Sequence, residues 1–269
     1  MSPLGFETKQ DRPGPVQNFS VKALNPYSIQ ASWYPPALPN GVITHYVILV
    51  NPVDPTEKPW TVNVGANVDT LSNSLIEAVV DNLVGGQSYQ LSVQAVTEAG
   101  KGDILSSTDG IRIEMPIMAP PRPSSRIEIL PNTIRSTDLT IRYNTIMFST
   151  KHGLLTKAAI IVAQVSSDGR TNENWFYDSP NKTLTWKQVQ RFDIWPPYIT
   201  LETPIEPLKR FAAKPISEII GIDSTCSDQD SQVVCNGPLK PGSGYRFKLR
   251  LYTAPNLWTD TLYSDVIVT

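Results

Sequence analysis

Charge, histidine and cysteine are all scarce in this chain. Charged side chains make up 18% of its 269 residues, and 23 Lys and Arg against 25 Asp and Glu leave a net charge of −2. Without a basic excess, nothing drives counterion release from a phosphate backbone, so nucleic-acid partners are set aside. No run of about 18 apolar residues occurs, so no bilayer-spanning helix is expected. The first ten residues lack the apolar core of a signal peptide. If the protein works outside the cell, the sequence is therefore expected to be an excerpt, with any membrane attachment lying in a segment it does not include.

The two histidines, His45 and His152, are far apart in sequence and fit no ligand pattern. A zinc site needs three or four ligands at set spacings, and nucleophilic catalysis needs a base in reach of the nucleophile and a group to orient it. Neither set is visible. Nothing picks out two of the 25 acidic residues as a glycosidase pair. The chain is expected to be no enzyme and to hold no cofactor or metal. Its two cysteines, Cys226 and Cys235, lie close together in a polar stretch. They are expected to form a disulfide closing a short loop, which implies an oxidising compartment; two reduced thiols in a cytosolic protein are the alternative. Two sequons, at Asn18 and Asn181, agree with a secreted glycoprotein.

Proline (24) and glycine (15) supply frequent breaks instead, and 40% of residues are apolar. Between Val16 and Ile113, about seven short segments of β-type composition are separated by Pro, Gly, Asn and Asp clusters. Ile29, Ala31 and Trp33 alternate with Gln30 and Ser32, which gives that strand one apolar face ending in a core tryptophan. Leu83 precedes Tyr89 by six residues with glycines between, and Tyr89, Leu91, Val93 and Ala95 then alternate. That pattern is similar to a tyrosine corner feeding strand F of an immunoglobulin-like sandwich. With Trp33, Pro35 and Pro36 on strand B, the 41–46 entry to strand C and the glycine-rich 99–102 loop, it resembles a fibronectin type III domain. No cysteine pair about 50 to 60 residues apart supports a disulfide-bridged immunoglobulin domain.

A proline-dense stretch, 115–123, separates the halves and favours an extended connection. The expected domains are 13–118 and 119–269. In the second, Leu239 and Tyr245 repeat the six-residue spacing, and Tyr245, Phe247, Leu249 and Leu251 alternate. The fold class expected is all-β, two tandem fibronectin type III-like β-sandwiches. The second has no strand-B tryptophan and carries a long insertion around 166–222, which holds Trp175, Trp186 and Trp195. Within it, Trp186, Val189 and Phe192 follow Thr185 at a spacing that allows one or two helical turns capped by the threonine. An unstructured excursion of that length is unusual in a compact domain, so the aromatics are expected to anchor it to the sandwich.

The 219–223 stretch, the two cysteines, 235–242, 245–250 and 259–265 together resemble the membrane-proximal extracellular domain of receptor-type protein tyrosine phosphatases. The nearest subclass is the type III one, with an insect member as one option; its ectodomains are strings of type III repeats. The resemblance implies a single-pass receptor that dephosphorylates tyrosine through a cytoplasmic domain. That enzyme is absent from this sequence: its motif places an arginine six positions after the catalytic cysteine, where Gln232 and Pro241 stand here. The localisation implied is the extracellular side of the plasma membrane. The partner implied is a cell-surface or extracellular protein ligand, with self-association as a further option. An adhesion or matrix protein without a phosphatase is the alternative, and a cytokine-type receptor loses weight because no Trp-Ser-x-Trp-Ser stretch precedes the last strand.

Several features are candidate binding sites. Lys240, Arg246, Lys248 and Arg250 form a basic row; the last three alternate with apolar residues and are expected on the outward face of strand F, where an acidic ligand or glycosaminoglycan would read them. A solvated face paired with acidic neighbours is the competing account. Lys101-Gly102-Asp103 resembles an integrin-binding loop, against an ordinary glycine-rich loop. Asp223, Asp228 and Asp230 could offer calcium oxygens but lack the glycine-bearing loop of a known motif. Trp175, Trp186, Trp195 and Tyr198 could form a sugar platform or a protein hot spot, against core packing of the insertion. Trp33, Tyr89 and Tyr245 are expected to be structural.

Overall fold

A computed structural model describes residues 9–66, 74–104, 110–166, 169–170, 183–205 and 215–269. These fall into two compact units that divide between Met118 and Ala119. The first contains eight strands: β1 (Gln17–Asn25), β2 (Ser28–Tyr34), β3 (His45–Pro52), β4 (Trp60–Gly65), β5 (Ile76–Val80), β6 (Ser88–Thr97), β7 (Gly100–Lys101) and β8 (Ile111–Glu114). One sheet runs β1-β2-β5; the other runs β4-β3-β6-β7, with β8 also pairing β6. The alternation read in the sequence places Ile29, Ala31 and Trp33 of β2 and Leu91, Val93 and Ala95 of β6 in the core between the sheets. Trp33 is fully buried, edge-on to Phe19 and Tyr46 with ring centroids 6.4 and 5.4 Å away.

The second unit contains β9 (Glu128–Ile129), β10 (Leu139–Asn144), β11 (Lys157–Val165), β12 (Leu184–Thr185), the one-turn helix α1 (Trp186–Val189), β13 (Tyr198–Pro204), β14 (Pro215–Ile220), β15 (Gly244–Ala254), β16 (Leu257–Asp260) and β17 (Ile267–Val268). Its sheets run β14-β10-β9 and β12-β13-β11-β15-β16, with β17 also pairing β15. The main core lies between them. A smaller cluster, in which Ala159, Ile161, Ile199 and Tyr252 pack with Val234 and Trp258, sits on the outer side of the larger sheet.

The insertion expected at 166–222 is narrower than that. Residues 198–204 and 215–220 are strands of the sandwich itself, the first paired along β11 and the second along β10. Short segments with little alternation, such as the exposed end of β13 and the half-exposed β14, hide their strand character when read singly. Of the insertion proper, residues 183–197 are described; Trp175 and Asn181 lie outside the described residues. Asn18 is exposed at an irregularity in β1, with a φ of 50°.

The expected helical turn is present, closed by a capping box in which the Thr185 hydroxyl accepts from the Gln188 amide N–H and the Gln188 side chain accepts from that of Thr185.

Candidate functional site

Both tyrosines at the six-residue spacing form the same local hydrogen bond. The Tyr89 hydroxyl accepts from the Val84 N–H at 2.9 Å, and the Tyr245 hydroxyl accepts from the Lys240 N–H at 2.8 Å. Each bond fixes the loop that enters the long central strand. Burial pushes the Tyr245 hydroxyl up to about 12 against the hydrogen bonds from Lys240 and Ser243, so it stays neutral across physiological pH. Tyr245→Phe is expected to cost about 1–3 kcal/mol, because a part-buried N–H loses its acceptor, and Tyr89→Phe should cost the first sandwich a similar amount. Urea midpoints of the two variants are the check.

The insertion is held by a chain of aromatic contacts that ends on this corner. Trp195 is buried at 2% exposure, with ring centroids 6.3 Å from Trp186, 5.7 Å from Tyr198 and 6.4 Å from Tyr245. Its backbone N–H donates to Gln164 Oε1 at 2.8 Å. Trp186 Nε1 donates to the Pro238 carbonyl, and a Cβ at Gly237 would run into the Trp186 ring, so this approach requires glycine. Trp186, Trp195 and Tyr198 are thus packed into the core rather than displayed as a sugar platform.

The disulfide loop closes over the same region. Cys226 and Cys235 are bonded with Cα atoms 5.7 Å apart, and both are buried. Thr185 Oγ1 donates to the Ser231 carbonyl and Lys187 Nζ to that of Gln229, which fastens the loop to α1. Next to the bridge, Asn236 joins the two sheets. Its Oδ1 accepts from Thr200 Oγ1 at 2.9 Å and from the Gly221 N–H at 2.8 Å, and its Nδ2 donates to the Ile219 carbonyl at 2.7 Å. Replacing both cysteines by serine is expected to destabilise the second sandwich by about 2–3 kcal/mol through the loop's regained chain entropy. Chemical denaturation should show the transition of the first sandwich unmoved. Asp223 accepts from the Thr225 N–H and hydroxyl, and these bonds hold its carboxyl below the usual range. Asp230 accepts from the Gln232 N–H and Asp228 from Ser227. The three serve local turns, and among the described residues they do not gather as a metal-ligand group; Asp223 is instead grouped with the two bonded cysteines.

The basic row is divided by the structure. Lys240 stands apart: its Nζ donates to the carbonyls of Phe192 and Asp193 at 3.3 and 2.7 Å and lies 4.8 Å from the centre of the Trp195 ring. Burial pulls this ammonium below its ordinary value, with the charge of Asp193 acting the other way. Lys240 is a clasp on the insertion. Arg250 is also no open ligand site, because it is 2% exposed and fully engaged. It donates from Nε and Nη2 to both oxygens of Asp260 at 2.6 and 3.0 Å and from Nη1 to Thr183 Oγ1 at 2.9 Å, while its guanidinium sits 3.5 Å from the Trp258 ring centre. Alternation on β15 points 246, 248 and 250 outward, as expected, but β16 pairs alongside and brings Trp258 and Asp260 over that face.

Arg246 and Lys248 remain accessible in part. They lie 4.1 and 4.7 Å from the centre of the Tyr263 ring, and Lys248 Nζ is 2.8 Å from Asp260 Oδ2. With Arg122 they line a cleft of about 520 Å³. Asp260, Trp258, Tyr263 and Arg122 escaped the sequence reading. The available signal was a strand of alternating cations followed, after a short turn, by an acid and aromatics at matching spacing.

The backbone of the Lys101-Gly102-Asp103 triplet is fixed at Gly102 and Asp103, while Lys101 and Asp103 are exposed. Gly102 N–H donates to the Ala95 carbonyl, Gly102 is buried against Pro13 where a Cβ would collide with the Pro13 carbonyl, and the Asp103 N–H donates to that same carbonyl. His152 Nδ1 is 2.7 Å from the Ala119 carbonyl, and His45 begins β3 beside Thr44.

Residues 14–108 match the family model for the fibronectin type III domain. Among curated proteins, the rat phosphatidylinositol phosphatase PTPRQ is 32% identical over 248 residues, which is 89% of this chain and 10% of that protein. The chicken cell adhesion molecule DSCAML1 is 36% identical over 104 residues, which is 38% of this chain and 5% of that protein. The crystal structure of the chicken CNTN1 FN1-FN3 domains shares 14% identity, covers 95% of this chain and 65% of that one, and superposes with a TM-score of 0.48. The chain spans about a tenth of the length of the phosphatase it matches. No helix among the described residues is long and apolar enough to cross a membrane. Residues 14–108 thus match the fibronectin type III domain, and the chain folds as two tandem fibronectin type III-like β-sandwiches, similar to parts of a phosphatidylinositol phosphatase and of a cell adhesion molecule.

Proposed function

We propose that this chain is a non-catalytic extracellular segment of a cell-surface receptor phosphatase, which spaces and positions the receptor and recognises an extracellular protein ligand. The observation that carries this reading is the reach of the phosphatase similarity. It extends over 89% of the chain and so over most of the second sandwich, whereas the similarity to DSCAML1 and sidekick proteins extends over 38–53%. A single module can be shared widely; a module followed by an enlarged one is a more specific combination. The dephosphorylating domain belongs to a part of the parent outside this sequence. Tyrosine is the substrate implied by the resemblance of residues 124–269, and phosphatidylinositol is the one in the relative's name.

The disulfide supports the extracellular side, since such bonds persist in oxidising compartments. Antibodies raised against this chain are expected to label intact, unpermeabilised cells that express the parent protein. Labelling only after permeabilisation would overturn the reading. The second reading, an adhesion protein without a phosphatase, is favoured by the 36% identity to DSCAML1. It predicts that beads coated with the chain cluster with one another.

A further inference from the structure

We infer that Asn18 carries an N-linked glycan, set on a bulge in the edge strand β1 of the first sandwich. This rests on the extracellular reading above, because the glycan is added in the secretory compartments, and it turns one of two sequence triplets into a placed modification site. The acceptor is the triplet Asn18-Phe19-Ser20. In the transfer, the Asn18 Nδ2 bonds the anomeric carbon of an oligosaccharide carried on a polyprenyl diphosphate. The bond from that carbon to the diphosphate oxygen breaks, the diphosphate leaves with the electron pair, and the amide gives up one proton.

The strand presents this asparagine outward. Along β1, Phe19, Val21 and Ala23 pack against the core, and Asn18, Ser20, Lys22 and Leu24 are exposed in alternation. Phe19 holds that orientation, with its ring centroid 6.4 Å from that of Trp33. Gln17 pairs with Tyr34 and Ser20 with Ser32, so β1 spends one more residue than β2 over this stretch. The extra residue makes a bulge, which bends a strand and re-aims its side chains. Asn18 takes it up with a φ of 50°, a left-handed conformation in which asparagine is enriched. Left-handed backbone alone accounts for an asparagine, as it does at Asn40 and Asn82, but of these three only Asn18 has a serine or threonine two residues on. Its side-chain amide is also unspent. Gln17 donates to the Pro35 carbonyl at 2.9 Å and Asn40 to that of Arg12 at 2.8 Å, whereas the Asn18 side chain has no hydrogen-bond partner among the described residues. In its sheet β1 has β2 on one side only, so no further strand crowds the site. A bulky, hydrophilic group here also covers one end of a sheet edge that would otherwise offer unpaired backbone groups to another chain.

The test is peptide mapping of the parent protein, captured from cells with antibodies raised against this chain. The peptides are compared before and after an amidase that releases N-linked glycans and converts the asparagine that bore them to aspartate. The peptide holding residue 18 is expected only after release, with aspartate at that position. Two variants of the parent separate a glycan from spontaneous deamidation. Ser20→Ala removes the acceptor hydroxyl and leaves the asparagine at its left-handed position; Ser20 is exposed, so the change costs one surface hydrogen bond, to Ser32. Its residue-18 peptide should be recovered before release with the asparagine intact. Ser20→Thr keeps the hydroxyl and should keep the glycan. Aspartate at residue 18 in Ser20→Ala, or an intact asparagine there in Ser20→Thr, would overturn the site. Protein that labels intact cells but yields an unmodified Asn18 peptide loses this site alone. Protein found only inside cells, with Asn18 unmodified, loses the extracellular reading as well.

Discussion

Trp195→Ala is expected to destabilise the second sandwich by about 3–5 kcal/mol, the usual cost of removing a large buried aromatic whose surroundings relax only in part. Trp195 is where the insertion meets the tyrosine corner, since its ring contacts Trp186 on one side and Tyr198 and Tyr245 on the other. Truncating it opens a cavity in the main core, removes the surface beneath Lys240 and takes from Trp186 of α1 one of its ring contacts. Two-domain chains need not unfold in one step, so urea denaturation is expected to show two transitions. The alanine variant should lower the midpoint of one and leave the other in place. Trp33→Ala, in the core of the first sandwich, should do the reverse. A shift of less than about 1 kcal/mol for Trp195→Ala would mean that the insertion is not anchored through this ring.

The Asp260→Ala variant should cost a similar amount, about 3–5 kcal/mol, for an electrostatic reason. Arg250 is buried and Lys248 nearly so, and Asp260 is the carboxylate bonded to both. Removing it strands a guanidinium that still pays for its burial. Exchanging the pair together, Arg250→Met with Asp260→Leu, should recover part of the loss, because no stranded guanidinium then remains, while Lys248 still loses this carboxylate. Acid provides a second route to the same result. Burial raises the Asp260 carboxyl, but the hydrogen bonds and charges of Arg250 and Lys248 outweigh it and hold the carboxyl below its ordinary value. A group depressed in the folded state contributes stability that is fully present above the ordinary carboxylate range, about pH 4. That contribution is lost as pH falls through the depressed value. The difference in stability between parent and Asp260→Ala should therefore be constant near neutrality and shrink below about pH 4. A difference that is small at neutral pH, or that grows in acid, would contradict the paired burial.

The strands of the first sandwich were legible where they alternate, or run apolar as at 46–50, between turn residues. Ile29, Ala31 and Trp33, or Tyr89 through Ala95, leave only one face to bury. The two tyrosine corners could be read for the same reason: the leucine, the glycines and the tyrosine are local in sequence, and the bond they form spans five residues. The capping box at Thr185 and Gln188 is equally local. The fate of the basic row was not legible. Alternation sets which side of β15 Arg246, Lys248 and Arg250 face, but not what lies over that side. Trp258, Asp260 and Tyr263 arrive by the β15–β16 register and the turn after it, and Thr183 arrives from the insertion. Both are tertiary events. Strands β13 and β14 were obscured because β13 ends in exposed residues and β14, at a sheet edge, places an isoleucine, Ile219, on its exposed side, which breaks the apolar alternation of the sequence.

Trp195, Tyr245, Lys240, the disulfide and the Arg250–Asp260 pair are committed to the structure of the second unit. Arg122, Arg246 and Lys248 line a cleft beside that pair. The reading of the chain as the outer segment of a phosphatase receptor is tested most directly by the coding sequence that follows Thr269 in the parent transcript. The account predicts about 20 apolar residues, then basic ones, then a phosphatase domain with an arginine six positions after its catalytic cysteine. A stop codon, or further type III repeats that end without a phosphatase, would contradict it.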